Sequence, residues 1–200
     1  MDTTILGRTG LTVSVMGLGC GGHSRLGLAT GKTEQDAIAV VRRALDLGVN
    51  FIDTAEAYGT EPVVGKALAG TPRENVVLST KAGPRKDGKP ATAAEMRERV
   101  HGCLARLGTD FVDVFHLHGV SYDDYPHAEA ELLPVLEELR AEGKIRFLGI
   151  TEAFGSDTAH RMLVRALEDD HWDVIMAGFN VLNQSARERL FVTTRERGVG

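Results

Sequence analysis

Residues 50–58 read NFIDTAEAY, and the rest of the chain is organised around them. The segment 50–55 has the form of a short buried strand: Phe51 and Ile52 are apolar, and an acid, Asp53, stands where the strand should end. An unpaired carboxylate is expensive to bury, so Asp53 needs a partner of opposite charge. Residues 76–81, VVLSTK, offer one: an apolar run closed by the cation Lys81. A third apolar run, 111–118, closes on His118, and Tyr58 follows shortly after Asp53. Three buried strands thus each deliver an ionisable group at the C-terminal end. In parallel α/β proteins that is the end of the sheet where active sites are built.

Working outward, residues 3–15 alternate apolar and polar around a glycine-containing turn and predict a small hairpin. Residues 16–21, MGLGCG, are expected to form the first inner strand; their glycines do not match the GxGxxG spacing of a dinucleotide fingerprint. Thr33 with Asp36 predicts a capping-box helix start, Ala37, Val40, Val41, Ala44 and Leu45 follow at helical spacing, and Gly48 stops the run. A short helix is expected over 61–69. Thr92 with Glu95 opens a longer one whose Met96, Val100, Cys103, Leu104 and Leu107 share a face. Beyond 111–118 come a helix through Leu132, Leu136 and Leu139, a strand over 145–151, a helix over 156–167 and a strand over 174–180. A last helix, boxed by Ser185 and Glu188, runs to Arg197.

Strand starts recur about every 26 to 35 residues, the length of a βα unit, in one domain spanning 1–200. Alternating strands and helices imply a parallel sheet with helical faces. Periodicity alone allows either a doubly wound sheet or a closed barrel. Polar residues at the ends of several consecutive strands favour the barrel.

A charged fraction of 26% beside 42% hydrophobic residues describes an ordinary globular chain, and a net charge of −5 argues against a nucleic-acid partner. The basic cluster 85–89 sits in a Pro/Gly loop without interleaved aromatics and reads as solvated. The N-terminus lacks a signal-peptide core and no apolar run is long enough to cross a bilayer, so no membrane partner is expected. Cys20 and Cys103 show no metal-ligand spacing and read as buried free thiols in a reducing cytoplasm. His116 and His118 form an HxH pair on one strand face, as metal-dependent barrel hydrolases use. The next strand ends offer only Thr151, Glu152 and Asn180, with no histidine, so no metal is expected.

Taken together, LGRTGLTVS, GVNFIDTAEAYG, VVLSTK, DFVDVFHLH and GKIRFLGIT, in that order, resemble the aldo-keto reductases. The resemblance implies a TIM (β/α)8 barrel, of which about six βα units are present behind an N-terminal β-hairpin. It also implies NAD(P)H-dependent reduction of an aldehyde or ketone to an alcohol. The family's catalytic Asp, Tyr, Lys and His map onto Asp53, Tyr58, Lys81 and His118. The chemistry is consistent with the residues themselves. Carbonyl reduction needs a proton donor at the oxygen, and an ammonium beside a phenol stabilises the phenolate left behind. Asp53 would hold Lys81 charged, and His118 could donate a hydrogen bond to the carbonyl oxygen. Each residue alone has a structural reading as well: Asp53 with Lys81 as an ion pair, His118 as a core histidine.

The resemblance further implies NADP(H), with NAD as the alternative. Where the family holds the nicotinamide carboxamide with Ser-Asn and a Gln, this chain has Thr151, Glu152 and Met176; Phe179 stands in for the stacking tyrosine. Thr151, Glu152 and Phe179 are therefore the candidate cofactor-binding residues. Residues 119–131, with Tyr122 and Tyr125, read as a long loop forming part of a substrate wall. Because a full barrel takes about 250 residues, the chain reads as incomplete. Leu18, Val174 and Phe179 are then expected to lack neighbours, with cofactor held weakly and a cytoplasmic fragment of uncertain turnover. A non-enzymatic barrel scaffold or regulatory subunit that keeps the four residues is the alternative function.

Overall fold

The computed structural model describes all residues, 1–200. The chain opens with strand β1 (Thr3–Ile5), antiparallel to β2 (Thr12–Ser14), in the register Thr3 to Ser14 and Ile5 to Thr12. The turn between them is pinned by Thr9, whose hydroxyl donates to the Leu6 carbonyl and accepts from the Leu11 amide. Asn50 then ties the hairpin to the main sheet, accepting from the Ser14 amide at 2.7 Å and donating to the Thr12 carbonyl at 2.9 Å.

Six βα units follow. β3 (Leu18–Gly19) leads to α1 (Glu34–Asp46), β4 (Phe51–Asp53) to α2 (Glu61–Leu68), and β5 (Val77–Ala82) to a small ribbon, β6 (Arg85–Lys86) with β7 (Lys89–Pro90), and then α3 (Ala93–Leu107). β8 (Val112–Val120) leads to α4 (Tyr125–His127), a π-helical turn (Ala128–Leu132) and α5 (Leu133–Ala141). β9 (Ile145–Glu152) leads to α6 (Arg161–Glu168), and β10 (Val174–Met176) to α7 (Leu190–Arg197).

Both capping boxes form: Thr33 Oγ1 accepts from the Asp36 amide while Asp36 accepts from the Thr33 amide, and Thr92 with Glu95 repeats the pattern. The α3 stripe of Met96, Val100, Cys103, Leu104 and Leu107 is buried as its spacing requires. Each of its aliphatic side chains contributes roughly 1.5–3 kcal/mol by leaving water.

The strand order β10-β9-β8-β5-β4-β3 settles the architecture. Every neighbouring pair is parallel, and each new strand is laid on the same side of the one before it. A doubly wound sheet reverses direction at a switch point; a barrel does not. The sheet curls. Inward-facing Val77, Val114 and Val174, from three strands, meet Leu11 and Val13 of the hairpin in one buried cluster. The hairpin therefore plugs the N-terminal mouth. The outward faces pack under the helices in a single core of 41 residues.

Several expectations are corrected. The helix read over 156–167 begins only at Arg161. Ahead of it, His160 adopts φ 60° and Asp157 caps the Met162 amide at 2.8 Å, both of which break a continuous helix. The strand read over 174–180 stops at Met176, because the Gly178 backbone lies against the Phe154 ring and its amide donates to Glu152. Ser185 does not box with Glu188; its hydroxyl donates to Asn183 Oδ1 and the Thr158 carbonyl, and α7 starts later, at Leu190. The long loop over 119–131 is helical from Tyr125 onward. Val174 does not lack neighbours, being 3% exposed beneath the hairpin.

Candidate active site

Period-two alternation along the strands determines what enters the barrel. On β5, Leu78 and Ala82 join the outer core with Thr80 between them, so Ser79 and Lys81 face inward; on β8 the same alternation turns His116 and His118 inward. Asp53, at the end of β4, lies opposite Ser79 in register. Lys81, fully buried, donates to Asp53 Oδ2 at 2.6 Å and to the Thr54 carbonyl at 2.7 Å. An ammonium has three donors, so one remains. Lys81 Nζ lies 5.0 Å from the Tyr58 ring centroid, so the charge stands beside the phenol. Ser79 Oγ donates to the other Asp53 oxygen at 2.8 Å and lies 3.2 Å from His116 Nδ1.

Tyr58 closes a 3-10 turn (Glu56–Tyr58) whose exit residue, Gly59, has φ 69°. Its ring rests against Gly21, where a Cβ would come within 2.6 Å of a ring carbon. The phenol oxygen is 3.3 Å from His118 Nε2, and the two rings meet edge to face at 88°. Asp53, Tyr58, Lys81 and His118 are therefore brought together at the C-terminal mouth, from β4, the turn after it, β5 and β8.

Two histidines here are neutral at pH 7. Burial, the Lys81 charge and the Arg99 charge hold His118 down at about 4. Burial, reinforced by Lys81 and His118, holds His116 well below the ordinary histidine range. Unfolded histidines take up protons near pH 6.5, before these two do in the fold. The stability tied to their neutral forms is thus complete above about pH 6.5 and is lost as pH falls from there toward 4. We expect Tm to drop between pH 7 and pH 5, and His116→Asn to flatten that dependence. A Tm independent of pH over that range would contradict the assignment.

The cofactor candidates divide. Thr151 faces inward, its hydroxyl accepting from the Gly119 amide at 2.7 Å, which leaves its own proton to donate. Phe179 is 42% exposed, with one neighbour in Phe191. Glu152 alternates to the helix side: its carboxylate sits 2.9 Å from His160 Nδ1 and accepts from the Gly178 amide at 2.8 Å. It is buried there and holds the loops after β9 and β10 together. The substrate wall is also revised: Tyr125 is fully buried, donating to Asp169 at 2.9 Å and accepting from Trp172 Nε1, while Tyr122 lies under Arg161 and Arg165.

Sequence reasoning missed Ser79, His116 as a hydrogen-bonding partner, and the ion pair of Glu56 with Arg99. The first two were open to detection, since each lies two residues before a candidate on the same strand face. No group of three or more His, Cys, Asp or Glu side chains is arranged to hold a metal. No helix is long and apolar enough to cross a membrane.

A curled parallel sheet of six strands, plugged at its N-terminal mouth by a hairpin and covered by helices, defines a β/α-barrel type of fold. The chain belongs to the aldo/keto reductase family, whose model matches residues 16–200. It is 40% identical over 157 residues to L-galactose dehydrogenase of Arabidopsis thaliana, covering 76% of this chain and 48% of that one. It is 33% identical to the NADH-specific methylglyoxal reductase of Escherichia coli (strain K12), over 97% of this chain and 64% of that one. The solved holo form of aldo-keto reductase AKR11C1 from Bacillus halodurans superposes with a TM-score of 0.78 at 32% identity, covering 100% of this chain and 64% of that one. The chain thus spans between about half and just under two thirds of the length of these relatives.

Proposed function

We propose that this chain carries the catalytic part of an NAD(P)H-dependent reductase of small aldehydes or ketones. The observation that carries the reading is the Tyr58 hydroxyl at hydrogen-bond distance from His118, with the buried Lys81–Asp53 pair behind its ring. Bound nicotinamide would supply the hydride. Tyr58 Oη gives its proton to the substrate oxygen as negative charge gathers there. Lys81 stabilises the phenolate that remains, and Asp53 keeps the fully buried Lys81 in place and compensated. His118, neutral, offers a hydrogen bond from its ring to the same oxygen without competing for the proton.

The residues present fit a nicotinamide. Thr151 has a hydroxyl proton free for the carboxamide, Phe179 offers an exposed ring for stacking, and Glu152 ties the end of β9, beside Thr151, to Gly178, beside Phe179. NADPH is the proposed cofactor, with NADH as the alternative. A cytoplasmic location belongs to the same reading, supported by two cysteines that are both buried and unpaired.

The test is NADPH and NADH oxidation by the purified chain with a panel of small aldehydes and ketones. Cofactor affinity is followed separately through the fluorescence of Trp172 or of the cofactor. Cofactor binding with no turnover on any carbonyl would favour a scaffold or regulatory role.

A further inference from the structure

We propose that Arg99, on α3, is a positioning residue for Tyr58 and His118, acting through its ion pair with Glu56. This rests on the reductase reading only for its kinetic consequence; the geometry stands without it. Arg99 reaches across from the helix layer to the mouth and binds two chain segments, the turn at Glu56 and the loop 83–85, with one guanidinium. Its Nε donates to Glu56 Oε2 at 2.7 Å, and Nη2 reaches the same oxygen. Its Nη1 donates to the Gly83 carbonyl at 2.7 Å and to the Arg85 carbonyl at 3.2 Å.

Each contact sits beside a proposed catalytic group. Glu56 opens the 3-10 turn that ends on Tyr58, so its carboxylate is the handle by which that turn is held down. Gly83 lies just past Lys81 at the end of β5. A Cβ placed on Gly83 would meet the His118 carbonyl at 3.8 Å and Arg99 Nη2 at 3.9 Å, so Gly83 lies between the guanidinium and the end of β8 at close quarters. The pair is well shielded, with Arg99 16% and Glu56 28% exposed. A planar fork bound to one carboxylate and two carbonyls is geometrically specific in a way that a lysine cannot reproduce.

The turn is also bracketed by the Thr54 and Thr60 hydroxyls, 2.9 Å apart, and Arg106 stands 4.0 Å from the second Glu56 oxygen, but Arg99 makes the shorter, forked contact on that carboxylate. Tyr58 makes no side-chain hydrogen bond except to His118, and the Ala55 cap of the turn makes none. A shift of about 1 Å in a reacting group can cost about a hundredfold in rate. Arg99 also adds positive charge near His118, alongside Lys81 from β5, while Tyr58 faces the same ring from the turn. Its removal should therefore let the His118 ring take up a proton at higher pH.

Two variants of the full chain separate geometry from charge. Arg99→Gln removes the charge and most of the fork; Arg99→Lys keeps the charge and loses the fork. NMR of the His118 ring and of the Tyr58 ring carbons, recorded against pH, reads both effects without reference to turnover. Thermal unfolding establishes that each variant is folded. Arg99→Gln is expected to raise the His118 titration and shift the Tyr58 signals. Arg99→Lys should leave the His118 titration near that of the parent and still shift Tyr58. Where the parent reduces carbonyls, both variants should lose roughly 10- to 100-fold in kcat with cofactor KM little changed. Folded variants with parental Tyr58 and His118 signals would overturn the proposal. A parent without turnover whose variants show those shifts would defeat the reductase reading and leave the positioning role standing.

Discussion

Tyr58→Phe should abolish carbonyl reduction while leaving cofactor affinity nearly intact. The substitution deletes one oxygen and its proton and keeps the ring that packs against Gly21. What is lost is the only hydroxyl placed 3.3 Å from His118 and beside the Lys81 ammonium. General-acid catalysis of this kind is worth about 10²- to 10⁴-fold, so residual kcat should fall by at least the lower figure. Thr151 and Phe179, which would touch the nicotinamide, are unaffected. Steady-state kinetics with a turned-over aldehyde, beside a fluorescence titration of cofactor, tests both halves. A phenylalanine variant with parental kcat would remove Tyr58 from its proposed role.

The largest effect on stability is expected at Asp113, far from that site. Its side chain is 2% exposed and bonds Arg73 Nη2 at 2.7 Å and Arg146 Nη1 at 2.6 Å. It also accepts the Leu78 amide at 2.9 Å, so a sheet N–H on β5 depends on a carboxylate from β8. Asp113→Ala leaves two guanidinium groups without their anion and one buried amide without an acceptor. Arg73 and Arg146 are 25% and 48% exposed and can turn toward water, which limits the loss. Breaking a buried ion pair at one partner costs about 3–5 kcal/mol, which for a chain of this size lowers Tm by on the order of 10 °C. Asp113→Asn keeps an oxygen for the Leu78 amide and should lose clearly less. Denaturant titration of both variants measures the difference. An alanine variant as stable as the parent would show that the Asp113 contacts add nothing net to stability.

The candidate residues Asp53, Lys81 and His118 were readable because each is a polar exception in an apolar strand. A charge there needs a reason, and period-two alternation turns all three into the barrel. The two capping boxes were readable for a related cause: Thr33 with Asp36 and Thr92 with Glu95 make their bonds within one helical turn, whatever surrounds them. Where a polar side chain found a better partner elsewhere, local reading failed. Ser185 looked like a third cap, but Asn183 and Thr158 took its hydroxyl.

By itself, then, the sequence determined the alternation of strands and helices, the faces they bury, and the set of polar residues at the strand ends. Those properties follow from spacing and from the cost of burying charge. Only the tertiary structure decided that each strand joins the same side of the last, since periodicity is identical for a barrel and for a doubly wound sheet. It also decided that Glu152 faces His160 and not the mouth. Tyr125 was turned into the core beside Trp172, and Arg99 was brought from α3 to Glu56. Each of these contacts joins segments whose meeting depends on the packing of distant parts of the chain, and no local pattern encodes which of several polar partners a side chain will reach.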